Sequence, residues 1–356
     1  MYKRIYATRP YVVAGDSPVA LNVGGDLAVS NGAAFAVYAA ATNAADGWGG
    51  VVTVDGAFTV GTGGIVYPVS DYVNTGSPRF RAGSFAVEAG GLVDANGRGG
   101  SGGWSAGLYQ ARYGGEYGLR TSGCGVGAGD LAASAGHGGA GAMSYVNIEG
   151  RSVSPASKAG AVCDDPYKPT LPGAGGGVQG YGYPGDGGGI FFLESPGAMR
   201  VDGTIQADGW FGVYYTDTGY MCQFGSGAGG TVFLGGATFT AGAGARLSAR
   251  GGDSWQTHSD GADISATGGG GRIAVQIGYE RELAGEPLSY IRTQDRNRAE
   301  LTQTGFSFLG VADVTGGTNR YTTTTHTEPP ASALGGDGTV WFTLVRPPRG
   351  TKLILR

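Results

Sequence analysis

The chain has 356 residues, of which 74 are glycine, about three times the ordinary share. Hydrophobic residues make up 41% and aromatic residues 10%, which is more apolar material than a disordered chain carries, so we expect a folded protein. The 24 basic and 28 acidic residues leave a formal net charge of −4, and this balance offers no basic surface for nucleic acid.

Residues 1–18 are interpreted as a lead-in or cap. A mixed segment follows Met1 to Arg4 where a secretory signal would have an apolar stretch, so no signal peptide is recognised. No run of apolar residues reaches the length of a membrane span, and none is predicted.

Residues 19–70 alternate between apolar and polar side chains in short runs that are interrupted by Asn-Gly, Gly-Gly and Asp-Gly. This period of two predicts short strands joined by tight turns, and the near absence of helical spacing argues against an α/β fold.

A unit of strand, glycine corner and strand recurs along the chain, at 26–39, 57–68, 84–97, 198–209 and 238–251. Imperfect repetition of a whole unit is typical of a chain that winds in stacked coils. We therefore predict an all-β fold, a single-stranded right-handed parallel β-helix over residues 19–345, of about ten coils and on the order of 50 Å long. A β-sandwich is the alternative, because it also has short strands at regular spacing.

From about residue 97, long segments rich in glycine, tyrosine and serine alternate with the strand units. A glycine cluster precedes each return to a strand, and we interpret these clusters as corners and tightly layered coil walls from which the aromatic insertions loop out. Residues 278–334 are more charged and are predicted to form an excursion between two coils or a small lateral subdomain. Residues 346–356 form a C-terminal strand or tail.

The repeated units, together with GGGGRIAV at 268–275 and GGDGTVWF at 335–342, resemble glycine-rich right-handed parallel β-helix proteins of bacteria. Autotransporter passengers and adhesins are similar in style. The resemblance covers roughly residues 20–345. It implies a secreted or surface-associated protein and carries no catalytic signature that can be mapped onto this sequence.

Carboxylates are the residues most relevant to an enzyme, because polysaccharide lyases and glycosidases use them in pairs. Asp94, Asp202 and Asp208 adjoin glycine corners, where aspartate satisfies turn backbone groups. The pair Asp164 and Asp165 therefore remains as the weak catalytic candidate. No calcium loop or cofactor motif is present, so no metal and no cofactor are predicted.

Histidine and cysteine give little support for a metal site. His137, His258 and His326 are isolated in polar segments without ligand spacing and are expected to face solvent. Cys124, Cys163 and Cys222 lie in glycine-rich connections, and their odd number allows one disulfide plus one thiol, or intermolecular pairing.

The aromatic insertions form the predicted interaction surface. Amphipathic rings suit sugar stacking and protein contacts, although the insertions would equally cover the outer wall of the coil. The candidate residues are Tyr109, Tyr113, Tyr117, Tyr181, Tyr183, Trp210, Tyr214 and Tyr215.

The sequence therefore favours a structural function over an enzymatic one. We expect an extracellular or cell-surface β-solenoid that associates with itself, end to end or laterally, into filaments or arrays, or that acts like an adhesin. A carbohydrate-active enzyme or a glycan-binding module is the alternative.

Overall fold

The computed structural model describes residues 11–13, 19–40, 48–72, 74–102, 133–142, 145–146, 159–179, 182–214, 223–256, 263–264, 266–285, 289–293, 305–321 and 334–346. Within these ranges the chain is almost entirely β-strand and extended backbone, and one four-residue helix, α1 (Glu280–Leu283), interrupts it. The two large sheets consist of parallel strands, apart from one antiparallel edge. The predicted all-β class is confirmed.

The strands are short, and most have between two and six residues. In chain order they are β1 (Tyr11–Val13), β2 (Val19–Val23), β3 (Leu27–Val29), β4 (Ala34–Tyr38), β5 (Gly50–Val60), β6 (Ile65–Val69), β7 (Pro78–Val87), β8 (Leu92–Asp94), β9 (Tyr145–Val146), β10 (Val178–Gln179), β11 (Gly182–Tyr183), β12 (Ile190–Glu194), β13 (Ala198–Val201), β14 (Thr204–Gln206), β15 (Val213–Tyr214), β16 (Gln223–Phe224), β17 (Thr231–Gly236), β18 (Thr238–Ala241), β19 (Arg246–Ser248), β20 (Ser254–Gln256), β21 (Asp263–Ile264), β22 (Arg272–Ile277), β23 (Ser289–Thr293), β24 (Phe306–Phe308), β25 (Val311–Asp313), β26 (Asn319–Tyr321) and β27 (Thr339–Arg346).

The large sheets divide into three stacks of parallel strands, which we call the first, second and third wall. The first wall contains β2, β12, β17, β22, β27 and the opening halves of β5 and β7. The second contains β3, β13, β18, β24 and the closing halves of β5 and β7. The third contains β1, β4, β6, β8, β14, β19 and β25. The chain visits the walls in this order repeatedly.

The core lies between the walls, where in-register pairing stacks equivalent side chains into apolar columns. The first-wall column runs through Leu21, Val52, Phe80, Leu193, Leu234, Val275 and Phe342. All but Leu21 are at most 1% exposed. In the second wall, the rings of Phe58 and Phe85 lie 5.6 Å apart. Burial of each such side chain contributes about 1.5–3 kcal/mol.

One predicted segment and the predicted number of coils can be compared with the strands. β24 and β25 lie within the predicted excursion, 278–334, yet belong to the second and third walls. The described third wall has seven strands, fewer than the predicted ten coils. The difference arises because the long glycine-rich segments do not add strands to the walls.

These segments instead pack against one another beside the walls, in an assembly that we call the glycine bundle. It comprises residues 95–102, 133–142, 159–163, 173–177, 184–189, 207–212, 225–230, 249–253, 266–271, 314–318 and 334–338. The segments that follow the third wall lead away from it, and those that precede the first wall lead back. The predicted tight layering of the glycine clusters is borne out where they precede the first wall, because a Cβ atom added at Gly230 would overlap the carbonyl oxygen of Gly189 and one at Gly271 that of Gly230. The clusters themselves add no strands to the walls.

Hydrogen bonds in the bundle repeat every three residues and point in several directions. Successive amides of one segment donate to three different neighbours before returning to the first: Gly268 to Gly252, Gly269 to Ala135, Gly270 to Gly336 and Gly271 to Ala249. The segment 227–230 repeats the pattern, because Gly227 and Gly230 both donate to 207–210. A period of three is that of the polyproline II helix, whose backbone has no internal hydrogen bonds.

Close packing of these backbones requires glycine. A Cβ atom added at Gly270 would overlap the carbonyl oxygen of Val314, and one at Gly188 would overlap that of Ala207. Gly24 and Gly25, at a corner between the first and second walls, have nothing within 4 Å of such an atom.

We therefore expect Gly188→Ala and Gly270→Ala to reduce the free energy of unfolding by about 1–3 kcal/mol or more, because the added methyl group forces the segments apart. Gly24→Ala and Gly25→Ala are the matched controls and should change it by no more than about 0.5 kcal/mol. Chemical denaturation followed by circular dichroism measures the difference. Equal effects at the two pairs of positions would contradict the close packing of the bundle.

Candidate functional site

The segments of the glycine bundle end together on the side away from the walls, and we call this side the outer end. It is formed by the residues next to connections 103–132, 143–158, 180–181, 215–222, 257–262 and 322–333. Short strand pairs join neighbouring segments there: β10 with β16, β11 with β15, β9 with β21, and β20 with β26.

Backbone hydrogen bonds link the remaining segments of the outer end. The amide of Gly177 donates to Ala133, and that of Gly225 donates to Gly177. Ala142 donates to Thr267, whose hydroxyl accepts from the amide of Gly335. The bases of connections that are far apart in sequence are therefore side by side in one hydrogen-bonded layer.

Several predicted aromatic residues fall at this end. Tyr183 lies on β11 and Tyr214 on the adjacent β15, where Gly182 is opposite Tyr214. Trp210 lies in the bundle segment 207–212. Its residue surface is 41% exposed, and its ring contacts the backbone of Gly97. The other predicted residues, Tyr109, Tyr113, Tyr117, Tyr181 and Tyr215, lie outside the described residues.

Asp164 and Asp165 occupy a segment, residues 163–171, that lies across the outer face of the first wall. The Asp164 carboxylate accepts hydrogen bonds from the amides of Asp165, Thr170 and Leu171, at 2.8, 2.9 and 2.9 Å. Its side chain is 5% exposed, whereas Asp165 is exposed. Asp164 thus holds a turn of this segment together.

The same segment is fastened to the first wall by its carbonyl groups. Arg272 donates from Nε and Nη2 to the carbonyl of Cys163, and Gln276 donates to that of Tyr167. Thr231 donates to the carbonyl of Leu171. Cys163 is disulfide-bonded, and Cys124 and Cys222 lie outside the described residues. We call residues 163–171 the strap.

His137 is buried, so the expectation that it faces solvent is wrong. Its side chain has no exposed surface, and its Nδ1 lies 2.9 Å from the carbonyl oxygen of Gly229. Its Nε2 lies 3.4 Å from Asp164 Oδ2. Because glycine-rich segments from different parts of the chain enclose it, its position could not be inferred from its local sequence. His258 and His326 lie outside the described residues.

The pKa of Asp164 reflects this environment. Burial alone raises the pKa, but the hydrogen bond and charge of His137, with the amides of Leu171 and Asp165, bring it below the ordinary value. Asp208 shows the opposite balance, because burial raises its pKa despite hydrogen bonds from Ser248 and the Arg250 amide. Asp94 accepts the amide of Asn96 at its own corner, as predicted from turn chemistry, whereas Asp208 accepts the amide of Arg250, which is 42 residues away.

A second buried polar cluster, centred on Glu194, is absent from the sequence-based candidates. Glu194 is 1% exposed and is paired with Arg79, while Tyr279 donates to its Oε1 at 2.7 Å. Burial and then the charge of Glu194 raise the pKa of Tyr279, so it remains a neutral donor. Phe192 and Phe233 stack beside it with ring centroids 4.2 Å apart. The cluster joins the outer face of the first wall to the residues that cover it.

One sequence feature could have indicated this cluster. Arg79 and Arg81 flank the apolar Phe80, and alternate residues of a strand lie on the same face, so both arginines are expected on the outer face. It does not identify Glu194 as their partner, since that carboxylate is 115 residues from Arg79. Removing one partner of such a buried pair costs about 3–5 kcal/mol. We assign the cluster a structural role.

Within the described ranges, no group of three or more histidine, cysteine, aspartate or glutamate side chains is arranged to hold a metal ion. The helical part of the described chain contains nothing long and apolar enough to cross a membrane. No protein-family model, curated protein or solved structure matches this chain.

Because the pKa of Asp164 is lowered, its contribution to stability is present at neutral pH and is lost as the pH falls below about 4. We expect Asp164→Ala to reduce the free energy of unfolding at pH 7 by about 2–3 kcal/mol. The variant should also lose less of this free energy than the wild type does when the pH is lowered to 3. Asp165→Ala is the matched control, with an expected loss below about 1 kcal/mol. Denaturant titrations at pH 7 and pH 3 test this, and equal losses for the two variants would contradict it.

Proposed function

We propose that the chain is an extracellular or cell-surface structural protein whose glycine bundle presents aromatic connections to a binding partner, in the manner of an adhesin. The observation that carries this proposal is that the described residues flanking the connections lie side by side at the outer end. Backbone hydrogen bonds hold these flanking residues, so the bases of the connections are already positioned when a partner binds.

The proposal includes the finer architecture. The repeated order of the three walls, with parallel pairing between successive visits, supports a single parallel β-helix. Parallel crossover connections are right-handed in about 98% of cases, which supports a right-handed coil. A glycine-rich bacterial surface protein, as the sequence resemblance implies, would have this architecture.

Two further features support an extracellular location and a binding function. The disulfide at Cys163 is typical of oxidising compartments. Trp210 and Phe211 are 41% and 45% exposed beside the bundle, and exposed rings on a rigid support suit stacking on sugars. A surface glycan is therefore the partner class that we favour, with self-association as a second mode of interaction.

The contacts of Asp164 and Asp165 do not support glycan cleavage by this pair. Cleavage requires two carboxyl groups across a groove, either about 5 Å or about 6.5–9.5 Å apart. Asp164 is instead engaged by backbone amides, and Asp165 accepts the amide of Tyr167 at 2.8 Å. The enzymatic alternative therefore has no supporting observation among these residues.

A glycan array and intact bacterial cells test the proposal, with labelled protein as the probe. The variant with Tyr109, Tyr113 and Tyr117 all changed to serine should bind at least about tenfold more weakly, because aromatic anchors dominate such contacts. Tyr72→Ser, at an exposed position on the described surface, is the control and should bind as the wild type does. Failure of the wild type to bind glycans or cells, or equal binding by all three proteins, would contradict the proposal.

A further inference from the structure

The C-terminal end of the coil has an incompletely covered apolar corner, between the last strand of the third wall and the start of β27. Ala312, Val314 and Val340 line this corner, and they pack against the core while only partly buried. One layer earlier, Leu247 is in register with Ala312 and Ile273 with Val340, and both are 0% exposed. The last layer therefore has inward apolar positions without a layer above them.

The rest of this end is covered. In the first wall, the outer edge of β27 pairs with the antiparallel strand β23, and Phe342 is fully buried. In the second wall, Phe306 and Phe308 are 3% and 5% exposed. The incomplete cover is therefore confined to the side of the third wall, whose last strand is β25.

The outer edge of β25 is open among the described strands, because β25 pairs there with β19 alone. The amide of Val311 donates to Ala245, and the carbonyl of Asp313 accepts from Ala249, so both residues bond to the preceding layer. Alternate residues of a parallel strand bond to opposite neighbours, so the N–H and C=O of Ala312 face the open edge. Such an edge beside an apolar surface accepts another strand.

The residues that follow β27 have the right spacing to reach this edge. Residues 347–356 lie outside the described part of the chain, but the register of β27 fixes where an uninterrupted continuation would lead. Thr339 occupies the register position of Thr231, and Leu247 of the third wall is 16 residues after Thr231. The residue 16 positions after Thr339 is Leu355. Leu355 is thereby aligned with Ala312, the residue that faces the open edge.

The sequence of this segment suits a strand on the third wall. In the same alignment, Gly350 takes the position of Gly242, in the corner between the second and third walls. Leu353 and Leu355 then face inward over the uncovered corner. Ile354 faces outward beside Val311, whose surface is 58% exposed.

Two prolines make the segment unsuitable for the second wall. Pro347 and Pro348 lack the amide hydrogens that a ladder requires, so this part is expected to cross the second wall without pairing in it. The second wall is the one whose last phenylalanines are already covered. The segment therefore supplies a strand where the coil lacks one and none where the coil is closed.

We propose that residues 353–355 add a parallel strand to β25 and close the third wall, with Leu355 beside Ala312. The chain's own segment is favoured over a second copy, because a short tether gives it an effective concentration on the order of millimolar. The open β25 edge is then a docking site that is filled within each molecule. This inference does not rest on the proposed function, and it removes the third-wall edge at this end from the surfaces available for self-association.

A cysteine pair in the full chain tests the strand. Neighbouring parallel strands lie about 4.8 Å apart, within the Cα separation of about 4.4–6.8 Å that a disulfide spans, so Ala312→Cys with Leu355→Cys should form a disulfide within one chain. Ala312→Cys with Ile354→Cys is the matched control and should not, because Ile354 faces the opposite side of the strand. Peptide mapping by mass spectrometry without reductant, which also follows the three native cysteines, measures the link.

Hydrogen exchange provides a second measurement. Leu355→Ser should accelerate exchange of the Ala312 amide by at least about tenfold, because the strand that protects this amide opens. Ile354→Ser, the matched control, should accelerate it by less than about threefold. Both substitutions lie beyond the last described layer, so they leave the core of the coil intact.

The outcomes decide the inference. A link with Leu355→Cys but not with Ile354→Cys, together with the selective effect of Leu355→Ser, supports the strand. Absence of a link in both pairs, or equal linking in both, overturns it. A link between two chains would show that a second copy covers the edge, and also overturns it. Glycan and cell binding by the outer end are measured independently of these results.

Discussion

The structure depends on backbone hydrogen bonds between glycine segments that lie too close together for side chains. In a sheet, each strand has two hydrogen-bonded neighbours, but a segment of the bundle such as 268–271 donates to three. Buried backbone in the bundle is therefore paired largely with other backbone, and the buried side chains of Ala135, Ala174 and Ala228 form a small apolar cluster within it. This explains how a chain with 74 glycines forms an ordered body, in spite of the entropy that glycine loses on folding.

The bundle also determines where the chain can interact. The visits that end at β8, β14, β19 and β25 are followed by outward and returning segments of the bundle, so the connections between those segments begin and end at the outer end. The walls provide a conventional core of stacked apolar columns, and the bundle carries the connections away from it. The strap and the Glu194 cluster pack on the outer face of the first wall, and the proposed binding surface is the outer end.

Local patterns in the sequence were sufficient to predict the short strands and the all-β class. The alternation at Val52, Val54, Phe58 and Val60 specifies which side chains face inward, and the structure buries all four. The glycine clusters could not be interpreted as well, because glycine has no side chain whose polarity would reveal a direction. Their role depends on partners such as Gly252 for Gly268 or Ala135 for Gly269, which no local pattern identifies. His137 and the pairing of Arg79 with Glu194 were missed for the same reason, since both depend on contacts distant in sequence.

Hydrogen exchange at the bundle amides tests the central claim most directly. If the bundle is a folded body in its own right, the amides of residues 185–189, 227–230 and 268–271 should exchange as slowly as those of the adjoining strands β12, β17 and β22, by global unfolding. Glycine segments that merely connect the strands would exchange orders of magnitude faster than the strands. Slow exchange confined to the walls would contradict the account given for this protein.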